Sequence, residues 1–341
     1  MAFCGECGAR AEANERFCGA CGKPLDDDGA GGPASIEGAG GPASIEGLAI
    51  SCAGLIAVGD AHGRLELREA DGRVIQTAAL ADEFIRTLAF TGDGRSLIVV
   101  CTTSVVVVGV PDLTVQRRCP LRLDANSAAV VRGEGTRVLH LAGGTLVESD
   151  LQSGQTVHAC ALPRPFTSLG ARDEGVALLG NDEGHVCVVD PRAGAVCGSL
   201  ELRGRSALMV TGLFVCPGNR LGLVATTDAV VHVIELPQGR VVTRLSGHTC
   251  NVFGLDSSSS GRCLFTGGGT GMLADADLFG EPHENSVRAW DAVTGKQLWS
   301  HDTGRSLAMH VRCSRDGNWL FLGMHDGGVR HVELPGDVSQ R

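Results

Sequence analysis

The chain contains no tyrosine, and aromatic residues make up only 4% of its 341 positions. A helical bundle of this length, packed on large side chains, is excluded by that shortage. Lysine is nearly missing too: Lys23 and Lys296 are the only two among 29 cationic side chains, and the net charge is −10. The Lys-rich basic field that drives generic binding to phosphate backbones is therefore absent, and nucleic acid is a poor default partner. Long apolar runs are lacking as well. The stretch VVCTTSVVVVGV at 99–110 is short and interrupted, and the opening MAFCGECGAR has no apolar leader core. These features predict a cytoplasmic protein with no membrane span. The strong preference for arginine over lysine suggests a bacterial origin.

Glycine is plentiful, at 49 residues, about twice the usual ~7% share. Abundant glycine with few aromatics fits many short strands joined by tight turns. Fourteen cysteines fall into two populations. Ten of them, from Cys52 to Cys313, are scattered, mostly among Val, Leu and Ala, where a reduced cysteine behaves as a small buried hydrophobe. This use of cysteine points to a reducing compartment.

The other four form Cys4-x2-Cys7 and, ten residues on, Cys18-x2-Cys21, with Gly8 and Gly22 directly after the pairs. Two cysteines separated by two residues can grip a tetrahedral zinc ion from one tight turn, and the glycine lets backbone N–H groups turn toward the thiolates. A redox CxxC would need a surrounding βαβ pattern, which is not seen here. The segment through FCGACGKPL resembles the short zinc ribbon at the N-terminus of many prokaryotic multidomain proteins. That resemblance covers about residues 1–25 and implies one structural Zn2+ held by Cys4, Cys7, Cys18 and Cys21, with the metal supplying most of the folding energy. Local charges cancel, so contact with protein or folding alone fits this module better than contact with nucleic acid.

Residues 26–47 read as a flexible linker containing the octapeptide GGPASIEG twice, at 31–38 and 40–47. Beyond it, a glycine-containing turn between apolar strands recurs at Gly54, Gly94, Gly135, Gly175, Gly218, Gly261 and Gly317, with spacings of 40, 41, 40, 43, 43 and 56. Each turn is followed by further runs ending in turn residues, as in GHVCVVDPRAG and AVVHVIELPQG. Seven units of about 41 residues with four antiparallel strands each predict an all-β fold, a seven-bladed β-propeller over 48–341.

The unit resembles the WD40 family, most clearly where Gly247-His248 and Trp290-Asp291 match the Gly-His and Trp-Asp signatures. The other units are degenerate: Asp150 and Asp190 are kept, whereas Val108-Gly109 and Glu235-Leu236 keep neither residue. The resemblance implies that His248, Trp290 and Asp291 fix their blade and have no catalytic role. A quinone-cofactor propeller, drawing on Thr294-Gly295-Lys296 through Trp299, is the other label considered; such enzymes are normally exported.

Two irregularities stand out. The 56-residue interval carries an insert over 268–284, in which Met272, Leu273, Leu278 and Phe279 are apolar and Asp275 and Asp277 lie at the rim. We expect these six residues to form a partner-binding loop, against the alternatives of a loop folded on its own blade or a calcium site using Asp275, Asp277 and Glu281. The seventh unit also stops one strand short. An open sheet edge is costly, so residues 33–37 from the first octapeptide are expected to close the ring, with a strand from another chain as the competing explanation. The function expected is a non-enzymatic scaffold that recruits other proteins through the propeller face and the insert, with the zinc ribbon as a second contact module. The alternatives are a nucleic-acid-associated regulator using the ribbon and an enzyme with a site in the central channel. No small-molecule substrate is inferred.

Overall fold

A computed structural model describes residues 44–339 apart from 81–82, 122–128, 133–134, 173–174, 205–207 and 270–283, together with the backbone at Ala2–Phe3, Arg10–Ala11 and Ser35–Ile36. The chain divides into two units, Met1–Ala34 and Ser35–Arg341. In the first unit, Ala2–Phe3 pairs antiparallel with Arg10–Ala11. Cys4, Cys7, Cys18 and Cys21 lie outside the described residues.

The second unit consists of seven four-stranded antiparallel sheets. In six of them the strands are consecutive in sequence and pair in order from the innermost outward. The innermost strands are Ile45–Ile50, Ile85–Phe90, Ala129–Arg132, Ser168–Ala171, Val210–Val215, Val252–Ser257 and Ala308–Cys313 for blades 1 to 7. Each lies against the innermost strand of the next blade, and that of blade 7 lies against that of blade 1, so the ring is closed. The architecture is a seven-bladed β-propeller.

The core is divided among seven apolar clusters, each holding two adjacent blades together. Strand Ser96–Cys101 shows how one sequence serves two of them. Leu97, Val99 and Cys101 pack toward blade 1, whereas Ile98 and Val100 pack toward blade 3. Side chains of a strand alternate between faces, and here both faces are buried. The middle strands therefore read as continuous apolar runs, as buried sheets generally do. Alternation survives on outer strands such as Arg240–Ser246.

Six of the seven turn glycines have positive φ, from 68° at Gly94 to 90° at Gly135. Gly175 is the exception and is required for space: a Cβ there would lie 2.5 Å from Asn219 of the next blade. The scattered cysteines are all free. Cys101, Cys160, Cys187, Cys216 and Cys263 are buried as expected, but Cys52 and Cys197 are exposed, the first in the turn after Ile50 and the second on an outer strand.

Two findings concern the octapeptide copies. The innermost strand of blade 1 begins at Ile45, inside the second copy, because Ile45 is needed in the seam with Phe321 and Val329 of blade 7. From the first copy, Ser35 pairs with Arg330 and Ile36 with Val329, giving blade 7 its fourth strand. At the other terminus, the turn Gly336–Ser339 buries Val338 in the cluster between blades 6 and 7.

Candidate functional site: the channel and its mouth

The innermost strands surround a channel of about 650 Å³ to which all seven blades contribute. Five of these strands carry an irregularity at their first turn of pairing, skipping one residue between Ile45 and Gly47, Ile85 and Thr87, Val210 and Gly212, Val252 and Gly254, and Ala308 and His310. The skipped residues are Glu46, Arg86, Thr211, Phe253 and Met309, and every one of them lines the channel. A β-bulge leaves one residue outside the ladder and re-aims its side chain. Repeated around the ring, it sets a circle of side chains at one end of the channel, with Thr167 of blade 4 beside them.

In blades 1, 5 and 6 the residue after the bulge is a glycine and has a packing cause, whereas Thr87 and His310 stand there in blades 2 and 7. A Cβ on Gly47 would lie 2.8 Å from Leu88, one on Gly212 would lie 2.9 Å from the Phe253 carbonyl, and one on Gly254 would lie 2.7 Å from Val311. At these three glycines the neighbouring innermost strand approaches too closely for a side chain.

The mouth is chemically divided. Phe253 and Met309 form an apolar arc on blades 6 and 7, whereas Glu46 and Arg86 form a charged arc on blades 1 and 2. The Arg86 guanidinium stacks 5.1 Å from the centroid of the Phe84 ring. Burial raises the Glu46 carboxyl above its ordinary range, opposed by a hydrogen bond from Ser44 and the charges of Arg86 and His325. Below Met309, burial and the nearby Arg312 push the His310 imidazole down to about 4.

Blade 6 holds the signature residues. The Trp290 indole is 1% exposed and donates to Thr266 Oγ1 at 2.8 Å. The same hydroxyl lies 2.7 Å from His248 Nε2. Burial, then the Arg288 charge, pushes His248 down to about 4, so its ring is neutral at pH 7. A chain thus runs from the Trp290 N–H through Thr266 to His248, whose Nδ1 is 3.5 Å from Ser286 Oγ. Asp291 lies outside this chain. Its Oδ1 accepts from the backbone of Val293 and Thr294 at 3.1 and 2.8 Å and from Thr294 Oγ1 at 2.9 Å, fixing the turn into the outer strand. Asp150 and Asp190 make the same turn in blades 3 and 4.

Met272, Leu273, Asp275, Asp277, Leu278 and Phe279 lie outside the described residues, but both stems of the insert are described. The Gly269 N–H donates to the Asn251 carbonyl at 2.9 Å, two residues before Phe253 of the mouth. On the other stem, Glu284 is held by Arg288 and accepts from Thr249 Oγ1 at 3.4 Å, while Asn285 Nδ2 donates to the Gly304 carbonyl at 2.9 Å. Among the described residues no group of three or more His, Cys, Asp or Glu could hold a metal ion, and no helix is long and apolar enough to cross a membrane.

The mouth residues were not found from sequence, although a signal exists. Segments IEGL at 45–48, IRTL at 85–88, FTSL at 166–169, VTGL at 210–213 and VFGL at 252–255 share an apolar, variable, small, leucine order. The variable position is the one presented to the channel.

Over 122 residues, 36% of its length, the chain is 29% identical to Protein groucho of Drosophila melanogaster. Over 132 residues, 38% of its length, it is 29% identical to Transducin-like enhancer protein 2 of Mus musculus. These matches span only 14% and 15% of the two relatives. No family profile matches the chain.

Proposed function

We propose that this protein is a non-enzymatic scaffold that holds other proteins on the channel-mouth face of its propeller. The observation that carries the reading is the ring of bulged residues Glu46, Arg86, Thr211, Phe253 and Met309. An apolar arc beside a charged arc is the composition of a contact surface, in which buried anchors supply affinity and charges fix orientation. WD40-like propellers typically serve as protein-interaction scaffolds, and the similarity to two relatives is consistent with that use.

The insert extends the same surface, with Met272, Leu273, Leu278 and Phe279 as apolar contacts and Asp275 and Asp277 at the rim. Its anchored stems beside Asn251 and Thr249 support this reading. The zinc ribbon is a second contact module, with one Zn2+ held by Cys4, Cys7, Cys18 and Cys21. A cytoplasmic location belongs to the same account, supported by ten free cysteines, among which burial pushes the Cys101 and Cys216 thiols up to about 12.

The test is affinity capture from the source cells with the full chain, a Phe253→Glu/Met309→Glu variant and a deletion of 269–283. We expect a defined set of proteins on the full chain and its loss from both variants, each remaining folded. Retention of the same set by both would refute the reading. Metal analysis tests the ribbon separately: one zinc per chain is expected, and Cys4→Ser/Cys7→Ser should lose it.

A further inference from the structure

At the end of the propeller opposite the mouth, the innermost strands of blades 5, 6 and 7 run out at Val215, Ser257 and Cys313 into the turns marked by Gly218, Gly261 and Gly317. Each turn carries an exposed arginine, Arg220, Arg262 or Arg315, and the half-buried Arg312 stands at the start of the third. The turns are contiguous. A Cβ on Gly261 would lie 3.9 Å from the Pro217 carbonyl, and the Cys313 N–H of blade 7 donates to Asp256 Oδ2 of blade 6 at 2.7 Å.

Exposed arginines such as Arg73, Arg203 and Arg240 are paired with Glu69, Glu201 and Glu235. In these three turns, by contrast, none of the four arginines forms an ion pair among the described residues. Arg312 alone donates from its side chain, through Nη1 to the Val311 and Leu255 carbonyls at 2.8 and 3.5 Å. The carboxylates of the same segments are engaged by N–H groups instead. Asp256 accepts from Cys313, while Asp316 accepts from the Asn318 N–H at 3.1 Å and from Asn318 Nδ2 at 2.9 Å. Asp337, in the turn beside Gly317, bounds the patch on the side of the C-terminus.

We propose that this face docks an acidic segment of a partner protein, laid across the turns of blades 5, 6 and 7. Facing sheets pack about 10 Å apart, so the arginines recur at about the interval that three residues of extended chain span at ~3.3 Å each. A segment with a carboxylate at every third residue meets Arg220, Arg262 and Arg315 in turn. The planar guanidinium offers paired donors that match a carboxylate. A net charge of −10 repels a long polyanion such as nucleic acid, or an anionic membrane, beyond the patch, whereas a short acidic segment covers the patch alone. The surface is separate from the mouth and does not depend on protein capture there.

Fluorescence anisotropy of a short labelled peptide with glutamate at every third position, titrated with the full chain at low ionic strength, tests this. We expect saturable binding, weakened about tenfold by Arg220→Gln/Arg262→Gln/Arg315→Gln. Arg73→Gln/Arg164→Gln/Arg203→Gln removes the same charge elsewhere and should leave binding unchanged. All of these side chains are exposed, so both variants should keep the fold. No saturable binding, equal binding by the Arg220 variant, or equal weakening in the two variants would overturn the proposal. So would tighter binding of single-stranded DNA or phosphatidylserine vesicles than of the peptide through the same arginines, which would assign the patch to nucleic acid or membrane.

Discussion

In blade 6 the outer strand Gln297–Asp302 follows its neighbour through one hairpin and forms five residue pairs, from Ser286–Asp302 to Trp290–Gln297. In blade 7 the equivalent place beside Val329–Glu333 is filled by Ser35–Ile36 from the opposite end of the chain, with two pairs. Blade 6 is fixed from within by the Trp290, Thr266 and His248 chain. Blade 7 is fixed at its seams, by Phe321 and Val329 against Ile45 on one side and by Val338 on the other. The signature residues are therefore not what makes a blade. They stiffen the one blade that carries the insert, while interblade clusters hold the ring.

The largest effect should come from breaking blade 6 at its centre. Trp290→Ala removes a fully buried ring and one of the two side-chain partners of the Thr266 hydroxyl, and should cost about 3–5 kcal/mol in denaturant unfolding. A loss below about 1 kcal/mol would show that the seams hold blade 6 as well.

Acid should weaken both blades through one histidine each. His248 in blade 6 and His310 in blade 7 each fall from 6.5 to about 4 on folding. The unfolded chain then binds more protons between those values, so stability present above pH 6.5 is lost as pH falls toward 4, by on the order of 3 kcal/mol for each group. His248→Gln and His310→Gln should each flatten the slope of stability against pH in that window. An unchanged slope in either variant would remove that histidine from the account.

Deleting 31–39 sharpens the comparison from the other side. Losing the two pairs at Arg330 and Val329 should cost on the order of 2 kcal/mol and speed hydrogen exchange in Val329–Glu333, leaving exchange in blade 6 as it was. Unaltered exchange in Val329–Glu333 would mean that this strand does not close the ring. The smallest effect belongs to the turn. Asp291→Ala and Asp190→Ala should cost a similar amount, about 1 kcal/mol each, because both carboxylates satisfy the same kind of hairpin. A much larger cost at Asp291 would show a role for it beyond the turn.

Sevenfold repetition could be read from sequence because six of the seven hairpins place a glycine at positive φ, and the seventh, Gly175, is glycine for want of space beside Asn219. The retained Asp150 and Asp190 could be read as remnants of a pattern, but their use could not: it appears only in the turn they cap. The channel mouth was harder. Glu46, Arg86, Thr211, Phe253 and Met309 have no chemistry in common, and a bulge is a property of pairing between strands, so nothing in one residue announces it. Asp256 was hidden for a related reason. It resembles any strand-end aspartate until the ring buries it and brings the Cys313 N–H of blade 7 within 2.7 Å of its Oδ2.

The central claim is that partners dock on the mouth face. The direct measurement is hydrogen exchange on the full chain with and without the partner recovered by affinity capture. Docking on the mouth should give new protection around Phe253, Met309 and the segments flanking the insert, with outer strands such as Arg240–Ser246 unchanged. Protection confined to the outer strands, with the mouth exchanging as in the free chain, would contradict it.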